Sequence, residues 1–166
     1  MTTIQVTRKE DKMDAEQLKR LSNILYSESK AEAVKLVQSI NSEDELFILL
    51  DNYNWDNGFE VPEAIITHPN CTLPIALLAF YRADGIRYLF EEEDTFKNRL
   101  SKSWDIFIKK VYDNLLKERY PSGSISYQTE ITTIQKFKLK KLHLNINSFI
   151  LDGVSGKDLH ILLEMS

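Results

Sequence analysis

The stretch of sequence that decides the fold runs from Asn52 to Leu89 and is NYNWDNGFEVPEAIITHPNCTLPIALLAFYRADGIRYL. Prolines, turn-forming residues and short apolar runs alternate along it, which is typical of compact helical hairpins. The segment from Asn54 to Gly58 predicts a tight turn, because short polar side chains tolerate a left-handed backbone and Gly58 has no Cβ. The stretch therefore predicts short helices joined by tight turns.

Particular residue types predict where these short helices begin and end. Pro62 suits the first position of a helix, where its missing N–H leaves no helical hydrogen bond unmade. Pro69 ends that helix, and Thr72 is a suitable N-cap for the next one, TLPIALLAFYRA. Asp84 and Gly85 then close this helix, with Gly85 as the expected left-handed residue.

Two amphipathic helices and a capping motif precede the stretch. Apolar residues recur at helical spacing from about Met13 to Tyr26 and again in residues 27–40. Ser42 and Glu45 have the spacing of a capping box, in which each side chain bonds the backbone N–H of the other residue. We therefore expect a third helix, EDELFILLDNY, to begin directly after Ser42.

A long helix is predicted from Glu91 to about Tyr120. Acidic residues crowd its beginning and basic residues its end, which complements the helix dipole. Its apolar residues recur every three or four positions, and they are Phe96, Leu100, Trp104, Phe107, Val111 and Leu115.

Residues 129–151 fit either a helix or a strand. Part of the segment has apolar residues at helical spacing, whereas a later alternation of apolar residues and several threonines favour a strand. We expect a helix to about Lys140, an extended segment to Leu151 and a final short helix in residues 155–165.

Length and composition are typical of one globular domain. The chain has 166 residues, of which 43% are hydrophobic and 28% charged. We expect a single helical domain over residues 1–166, with a flexible tail over residues 1–12. The fold is predicted to be mainly α, a compact array of antiparallel helix pairs around the long helix, with a small C-terminal β element as an open alternative.

The sequence favours a cytoplasmic location. No apolar run approaches the roughly 18 residues that span a bilayer. The first residues lack the apolar core of a signal peptide. The single cysteine, Cys71, cannot form an internal disulfide, which fits a reducing compartment.

Charge is distributed unevenly along the chain. Residues 28–94 contain 14 acidic and 4 basic residues, a balance of −10, whereas residues 97–141 contain 11 basic and 4 acidic residues, a balance of +7. A chain of this kind can steer a charged partner. The alternative is that the two regions neutralise each other in the folded protein.

The motifs NYNWDNGFEVPEAI, HPNC and ALLAFYRADGIRYL occur in this order within residues 52–89. In these motifs the chain resembles a bacterial family catalogued as a domain of unknown function, number 4274. The resemblance implies a small, mainly helical, bacterial cytoplasmic domain, and HPNC with the following P-x-A-L resembles a HEAT-like helix pair. The resemblance implies no activity, and no catalytic residue is carried over from it.

The acidic residues around Trp55 form the candidate binding site. Aromatic residues at a tight turn commonly seal it against neighbouring helices, but an exposed tryptophan is a natural anchor of a protein interface. Acidic residues around that anchor would form a rim that speeds association with a basic partner. The candidate binding residues are Asp51, Trp55, Asp56, Glu60 and Glu63.

An enzymatic alternative uses Asp56, Glu60 and His68, because carboxylates near a histidine can bind a metal or transfer protons. Their spacing matches no recognised ligand pattern. Cys71 beside His68 resembles a nucleophile and its base, but no third group that would orient them is indicated. We expect no cofactor.

A basic run with Phe137 between its lysines is a candidate nucleic-acid contact, and it contains Lys136, Lys138, Lys140, Lys141 and His143. The chain as a whole has a net charge of −4, however, whereas nucleic-acid-binding domains are strongly basic. We therefore expect no nucleic acid as a partner, and the lack of a spanning segment predicts no membrane partner.

These patterns favour a non-enzymatic domain that binds another protein, one that is basic. Its most concrete form is an immunity-type inhibitor of a basic bacterial toxin, since small acidic helical proteins often accompany toxins. That argument is an analogy of size, charge and architecture. The alternatives are a small hydrolase or metal-dependent enzyme, and a structural or regulatory helical module.

Overall fold

The computed structural model describes residues 13–91 and 102–163. Within these ranges the chain is mainly helical, which confirms the predicted fold class. The helices are α1 (Ala15–Leu25), α2 (Lys30–Gln38), α3 (Glu43–Asp51), a 3-10 helix (Trp55–Asn57), α4 (Glu60–Ile66), α5 (Leu73–Arg82), α6 (Gly85–Phe90), α7 (Lys102–Leu116), α8 (Thr133–Leu142) and α9 (Ser148–Asp152). None of these described helices is long and apolar enough to cross a membrane. The predicted flexible tail over residues 1–12 lies outside the described ranges.

Contacts divide the described residues into two compact units. The first unit contains residues 13–71 and 158–163, and the second unit runs from Thr72 to Lys157. The expectation of a single domain stays a prediction.

Helix α3 is the central element of the first unit. It packs against α1 and α4, and α2 also packs against both of these helices. Residues 46–50 of α3 are all buried, as expected for a helix that is apolar around most of its circumference. Leu21, Val37 and Ile65 bring buried side chains from the other three helices. The core of this unit therefore surrounds α3.

Side chains cap the N-termini of α1 and α3 in the first unit. Asp14 and Gln17 form a reciprocal capping box at α1. At α3 the Ser42 hydroxyl accepts the N–H of Glu45 at 3.3 Å, which confirms the predicted cap. The Glu45 carboxylate bonds Arg20 of α1. The reciprocal half of the predicted box at α3 is therefore replaced by a contact between helices.

The last described segment, residues 158–163, is extended, so the short helix predicted for residues 155–165 is wrong in this segment. The rest of that prediction, beyond residue 163, lies outside the described ranges. Every second side chain of the segment is buried, as in a strand. The Asn52 amide donates to the carbonyl of Ile161 at 2.8 Å and accepts the N–H of Leu163 at 2.9 Å. In a helix these two backbone groups would form hydrogen bonds within the segment, and here the Asn52 side chain takes that role.

The second unit has its core between α5 and α7. Helix α5 packs against α6 and α7, and α6 also packs against α8. Residues 74–80 of α5 are all buried. Phe80 and Phe107 are fully buried, and the Phe80 ring stacks on Tyr112 with centroids 5.7 Å apart.

Asp84, and not Gly85, is the left-handed residue between α5 and α6, with a φ of 66°. Gly85 begins α6, so its predicted role as the closing residue of α5 is wrong. A Cβ at Gly85 would lie 2.5 Å from the Phe80 ring. The glycine is therefore required by close packing of a ring on the backbone.

Helix α7 covers only part of the long helix predicted from Glu91 to about Tyr120. Glu91 follows α6 in an extended conformation, with φ −86° and ψ 147°, so the helix does not begin there. Residues 92–101, which the prediction also includes, lie outside the described ranges. The apolar stripe of the prediction is confirmed within α7, where Trp104, Phe107 and other stripe residues are buried.

The end of α7 comes earlier than the sequence predicts. Glu118 has a left-handed φ of 51°. Its N–H donates to the carbonyl of Leu115 at 3.1 Å, and the N–H of Arg119 donates to the carbonyl of Asn114 at 3.0 Å. This pair of bonds is a Schellman motif, and its left-handed residue ends the helix before the proline at position 121 is reached.

The ambiguous segment contains two helices. Helix α8 confirms the predicted helix, and Thr132 caps it together with Gln135. The extended segment predicted up to Leu151 is wrong over α9, whose Ile150 and Leu151 are buried. The open β alternative is present only as two isolated bridges among the described residues, Ile125 with Lys157 and Tyr127 with Val154.

Candidate binding surface around Trp55

A short 3-10 helix holds Trp55 in a fixed turn. The Asn54 side chain accepts the N–H of Asp56 at 3.0 Å, which caps the helix. Gly58 ends it with a φ of 98°, as the sequence predicts. The Tyr53 hydroxyl donates to the carbonyl of Gly58 at 2.7 Å and closes the turn from the other side. The backbone that presents Trp55 is therefore bonded at both ends.

Trp55 lies between two other aromatic rings. The ring of Tyr53 meets it edge-on with centroids 5.7 Å apart, and the ring of Phe59 does so at 6.1 Å. Tyr53 is buried, whereas Trp55 and Phe59 are both partly exposed. The cluster thus seals the turn and still presents part of the tryptophan at the surface.

Three of the predicted acidic residues lie on or next to this turn. Asp56 belongs to the 3-10 helix and is exposed. Glu60 and Glu63 lie in the first turn of α4, and Glu63 is partly exposed. The Glu60 side chain is half exposed, and its carboxylate lies 3.4 Å from the ammonium of Lys30. Lys30 was missed by the sequence analysis, since it lies thirty positions from Glu60 and no local pattern joins the two.

Tyr53 links the aromatic cluster to these charges. Burial and, to a smaller extent, the negative charge of Glu60 raise the pKa of Tyr53 to about 12. The hydroxyl therefore stays protonated at neutral pH and remains a donor to Gly58. The turn keeps its closing hydrogen bond in all but strongly alkaline solution.

Asp51, the fifth candidate, has different surroundings. Its side chain is only 12% exposed, and one carboxylate oxygen lies 3.4 Å from Nδ1 of His160. The Nε2 atom of His160 lies 3.3 Å from a carboxylate oxygen of Asp158. Asp51 thus helps to hold the last described segment, and His160 was missed because it is far away in sequence.

The residues of the enzymatic alternative do not share one environment. His68 is buried, and its Nδ1 atom accepts the N–H of Asn70 at 2.9 Å. Asp56 and Glu60 are exposed on the turn and on α4. Among the described residues there is no group of three or more histidine, cysteine, aspartate or glutamate side chains that could hold a metal ion.

Cys71 is buried, and it lies three positions after His68 in the sequence. Burial raises the pKa of its thiol well above the ordinary value, and the charge of Glu43 adds to this effect. The protonated thiol is therefore the stable form, and thiolate is the form a nucleophile needs. The arrangement is that of a small buried side chain in the turn that follows α4.

The basic run of the sequence lies on and just beyond α8. The Lys136 ammonium pairs with Asp152 at 3.2 Å, and the imidazole of His143 bonds the carbonyl of Leu89 at 2.6 Å. The other three lysines of the run and Phe137 are exposed. Part of the run thus holds the second unit together, and part faces solvent.

Comparison with protein families gives a match over the middle of the chain. Residues 41–116 match the model of a family described as "Domain of unknown function (DUF4274)". This confirms the resemblance seen in residues 52–89 and extends it on both sides, and the matched range contains all five candidate binding residues. Comparison with curated proteins and with solved structures gives no significant match. Arguments about function therefore depend on the site itself.

Proposed function

We propose that this protein is a non-enzymatic protein-binding domain, an immunity-type inhibitor that blocks a basic bacterial toxin. The observation that carries the proposal is the partly exposed Trp55 on a bonded turn, with the exposed carboxylate of Asp56 beside it in sequence. Tryptophan on a rigid support is a favourable interface anchor, since little conformational freedom is lost when it binds.

The negative charge of the part of the chain that contains Trp55 favours a basic partner. Residues 1–71 and 158–166 together contain 15 acidic and 7 basic residues, a formal balance of −8. The candidate surface lies in this part of the chain. An acidic surface attracts a basic partner over roughly one Debye length, about 8 Å at physiological salt, and raises the association rate. A nuclease domain is a suitable target, because its own substrate is a polyanion and its active surface is positively charged.

The proposed contact has a centre and a rim. Trp55 would enter a pocket of the partner and lose its remaining contact with water. Asp56, Glu60 and Glu63 would surround it and meet lysine or arginine side chains. The Lys30 ammonium lies 3.4 Å from the Glu60 carboxylate in a solvent-exposed ion pair, which contributes little free energy. A lysine or arginine of the partner would therefore replace Lys30 at Glu60.

Location and source follow as part of the same proposal. An immunity protein acts in the bacterial cytoplasm, where a toxin from the same cell or a neighbour would do its damage. The single cysteine, Cys71, is buried and forms no disulfide, which fits a reducing compartment.

The proposal is tested with the protein encoded by the neighbouring gene. If that gene encodes a large secreted protein, its C-terminal domain is purified and titrated with the wild-type protein and with Trp55→Ala. We expect the Trp55→Ala variant to bind at least about thirtyfold more weakly, since a central anchor contributes roughly 2 kcal/mol or more. Glu60→Gln should mainly lower the association rate and weaken its dependence on salt.

Two matched variants control for general effects. Tyr26→Ala removes an aromatic side chain that is 45% exposed in the same unit but lies outside the Trp55 turn. Glu28→Gln removes one exposed acid elsewhere in the unit. Both should bind like the wild type. An absence of binding to the neighbour's domain, or an equal loss in Tyr26→Ala and Trp55→Ala, would refute the proposal.

A further inference from the structure

The outer face of α8 carries large apolar side chains in contact with solvent. Leu139 points into the second unit and is fully buried. Ile134 and Phe137 lie on the opposite side of the helix and are 68% and 59% exposed. At the end of the helix Leu142 is 59% exposed, and just beyond it Leu144 is 88% exposed. Four large apolar side chains therefore project from one short segment, whereas surface apolar residues normally occur singly.

Lysines border this apolar ridge on both sides. With 3.6 residues per turn, Lys138 and Lys140 fall on the two flanks of the face formed by Ile134 and Phe137. Lys141 falls between these two apolar side chains, and Leu142 falls beyond Lys138. All three lysines are exposed, and the Lys141 ammonium lies 4.4 Å from the centre of the Phe137 ring. Among the described residues, no carboxylate lies within ion-pair distance of these three lysines. Their charge is therefore directed at solvent.

The surrounding part of the chain has the same sign of charge. Residues 72–157 contain 14 basic and 10 acidic residues, a formal balance of +4, in contrast to the acidic remainder of the chain. A partner of this face is therefore anionic, and it also offers an apolar phase for the four exposed side chains.

We propose that the outer face of α8 binds the surface of an anionic lipid bilayer. Ile134, Phe137, Leu142 and Leu144 would enter the boundary between headgroups and acyl chains. Lys138 and Lys140 would extend along the flanks, with their methylene chains on the apolar side and their ammonium groups on lipid phosphates. This surface shares no residue with the one around Trp55, and the inference does not depend on the proposed function.

A bilayer fits the ridge better than other anionic partners do. Side chains that project from a convex helix need a partner that adapts to their shape, and fluid acyl chains do so without a preformed groove. A nucleic acid would use the lysines, but it offers nothing to the leucines and the isoleucine, and Lys141 already covers one face of the Phe137 ring. A second copy of the same face would bring like charges together. The sequence-based expectation of no membrane partner rested on the lack of a spanning segment, which a surface contact does not require.

The test is flotation of the full-length protein with lipid vesicles. One set of vesicles is phosphatidylcholine alone, and the other contains about 30% phosphatidylglycerol, which gives an anionic surface. We expect the wild type to float with the anionic vesicles only and to be released by high salt. Ile134→Ser with Phe137→Ser, and separately Lys138→Gln with Lys140→Gln, should each lower the bound fraction by roughly tenfold.

Matched controls separate this face from general surface effects. Ile106→Ser changes an isoleucine that is 54% exposed on α7, and Lys19→Gln with Lys102→Gln removes two exposed lysines elsewhere. These variants should bind vesicles like the wild type. A second readout uses Leu144→Cys labelled with a polarity-sensitive dye, because the native Cys71 is buried and resists labelling. Its emission should shift to the blue when anionic vesicles are added.

Three results would overturn the proposal. The first is a wild-type protein that floats with neither kind of vesicle. The second is binding that the apolar double variant retains, because the contact would then be electrostatic only. The third is competition by another anionic ligand, either a single-stranded oligonucleotide or an acidic amphipathic peptide. If that ligand displaces the protein fully from the vesicles and its binding is lost in the same variants, the face belongs to that class of partner.

Discussion

Arg20 of α1 and Glu45 of α3 form a bidentate, partly buried ion pair that joins two helices of the first unit. The Nε and Nη2 atoms of Arg20 donate to the two carboxylate oxygens of Glu45 at 2.7 and 2.9 Å. The Glu45 side chain is 1% exposed and the Arg20 side chain 23%. The pKa of Arg20 is raised above its ordinary value, chiefly by this hydrogen bond.

The first prediction concerns the removal of Arg20. Arg20→Ala leaves the buried Glu45 carboxylate without its counter-charge, and we expect the free energy of unfolding to fall by about 3 kcal/mol. Urea denaturation followed by circular dichroism measures the change. The matched control is Lys19→Ala, the neighbouring exposed lysine. A loss no larger than that of the control would show that water solvates the carboxylate in the variant.

The second prediction concerns Asn52, whose side chain makes three hydrogen bonds. It donates to the carbonyls of Ile48 and Ile161 at 2.8 Å and accepts the N–H of Leu163 at 2.9 Å. Asn52→Leu keeps the number and branching of the side-chain heavy atoms but none of the polar groups, and we expect a loss of about 2–4 kcal/mol because the Ile161 carbonyl and the Leu163 N–H are left unpaired.

Hydrogen exchange locates the effect of Asn52→Leu. The amide of Leu163 should exchange much faster than in the wild type, because its acceptor is lost and the last described segment is released. Asn23→Leu on the exposed side of α1 is the control. Unchanged protection at Leu163 would mean that burial of alternate side chains alone holds the segment.

The third prediction is a stabilising change at Glu118. This residue has a left-handed φ of 51° at the end of α7, a conformation in which a Cβ costs about 1 kcal/mol. Glu118→Gly should therefore raise the free energy of unfolding by about 0.5–1 kcal/mol. Glu118→Ala removes the same charge but keeps the Cβ, so it should give no gain. Equal effects of the two substitutions would assign the change to charge.

Local signals in the sequence accounted for the turns and caps but not for the long-range contacts. The Ser42 cap and the left-handed Gly58 depend on residues a few positions apart, and both are present as predicted. The pair of Arg20 and Glu45 spans 25 positions. No local period encodes a pair so far apart in the chain.

Competition between signals explains the helix boundaries that were wrong. The sequence 155–165 has an apolar content that suits a short helix. The Asn52 side chain, however, forms hydrogen bonds with the backbone of this segment and so favours an extended chain. Gly85 resembles a helix-ending glycine, yet the Phe80 ring requires its missing Cβ. In both cases a tertiary contact outweighs local propensity.

The candidate site was predictable to a similar extent. The turn that carries Trp55 and Asp56 followed from residues a few positions apart, but the helix predicted to begin at Pro62 begins two residues earlier, at Glu60. Asp51 is next to this site in sequence, but its carboxylate contacts His160 from the other end of the chain. Which acids face outward thus depends on contacts that only the folded chain reveals.

The fourth prediction concerns alkaline solution. Burial raises the pKa of Tyr53 and of Tyr112 to about 12, whereas an unfolded chain has a tyrosine pKa of about 10. Between these values the native state keeps protons that the unfolded state loses. The free energy of unfolding should therefore be insensitive to these groups below about pH 10 and fall as the pH rises toward 12.

Tyr53→Phe separates the contribution of one tyrosine. At neutral pH the variant should lose about 1 kcal/mol, since the hydrogen bond to the Gly58 carbonyl is gone. Between pH 10 and 12 its stability should fall less steeply than that of the wild type, by about 2 kcal/mol over the interval. Urea midpoints across this range measure both effects, and Tyr26→Phe, an exposed tyrosine, is the control. An alkaline slope identical to that of the wild type would show that Tyr53 ionises as readily in the folded protein as in the unfolded chain.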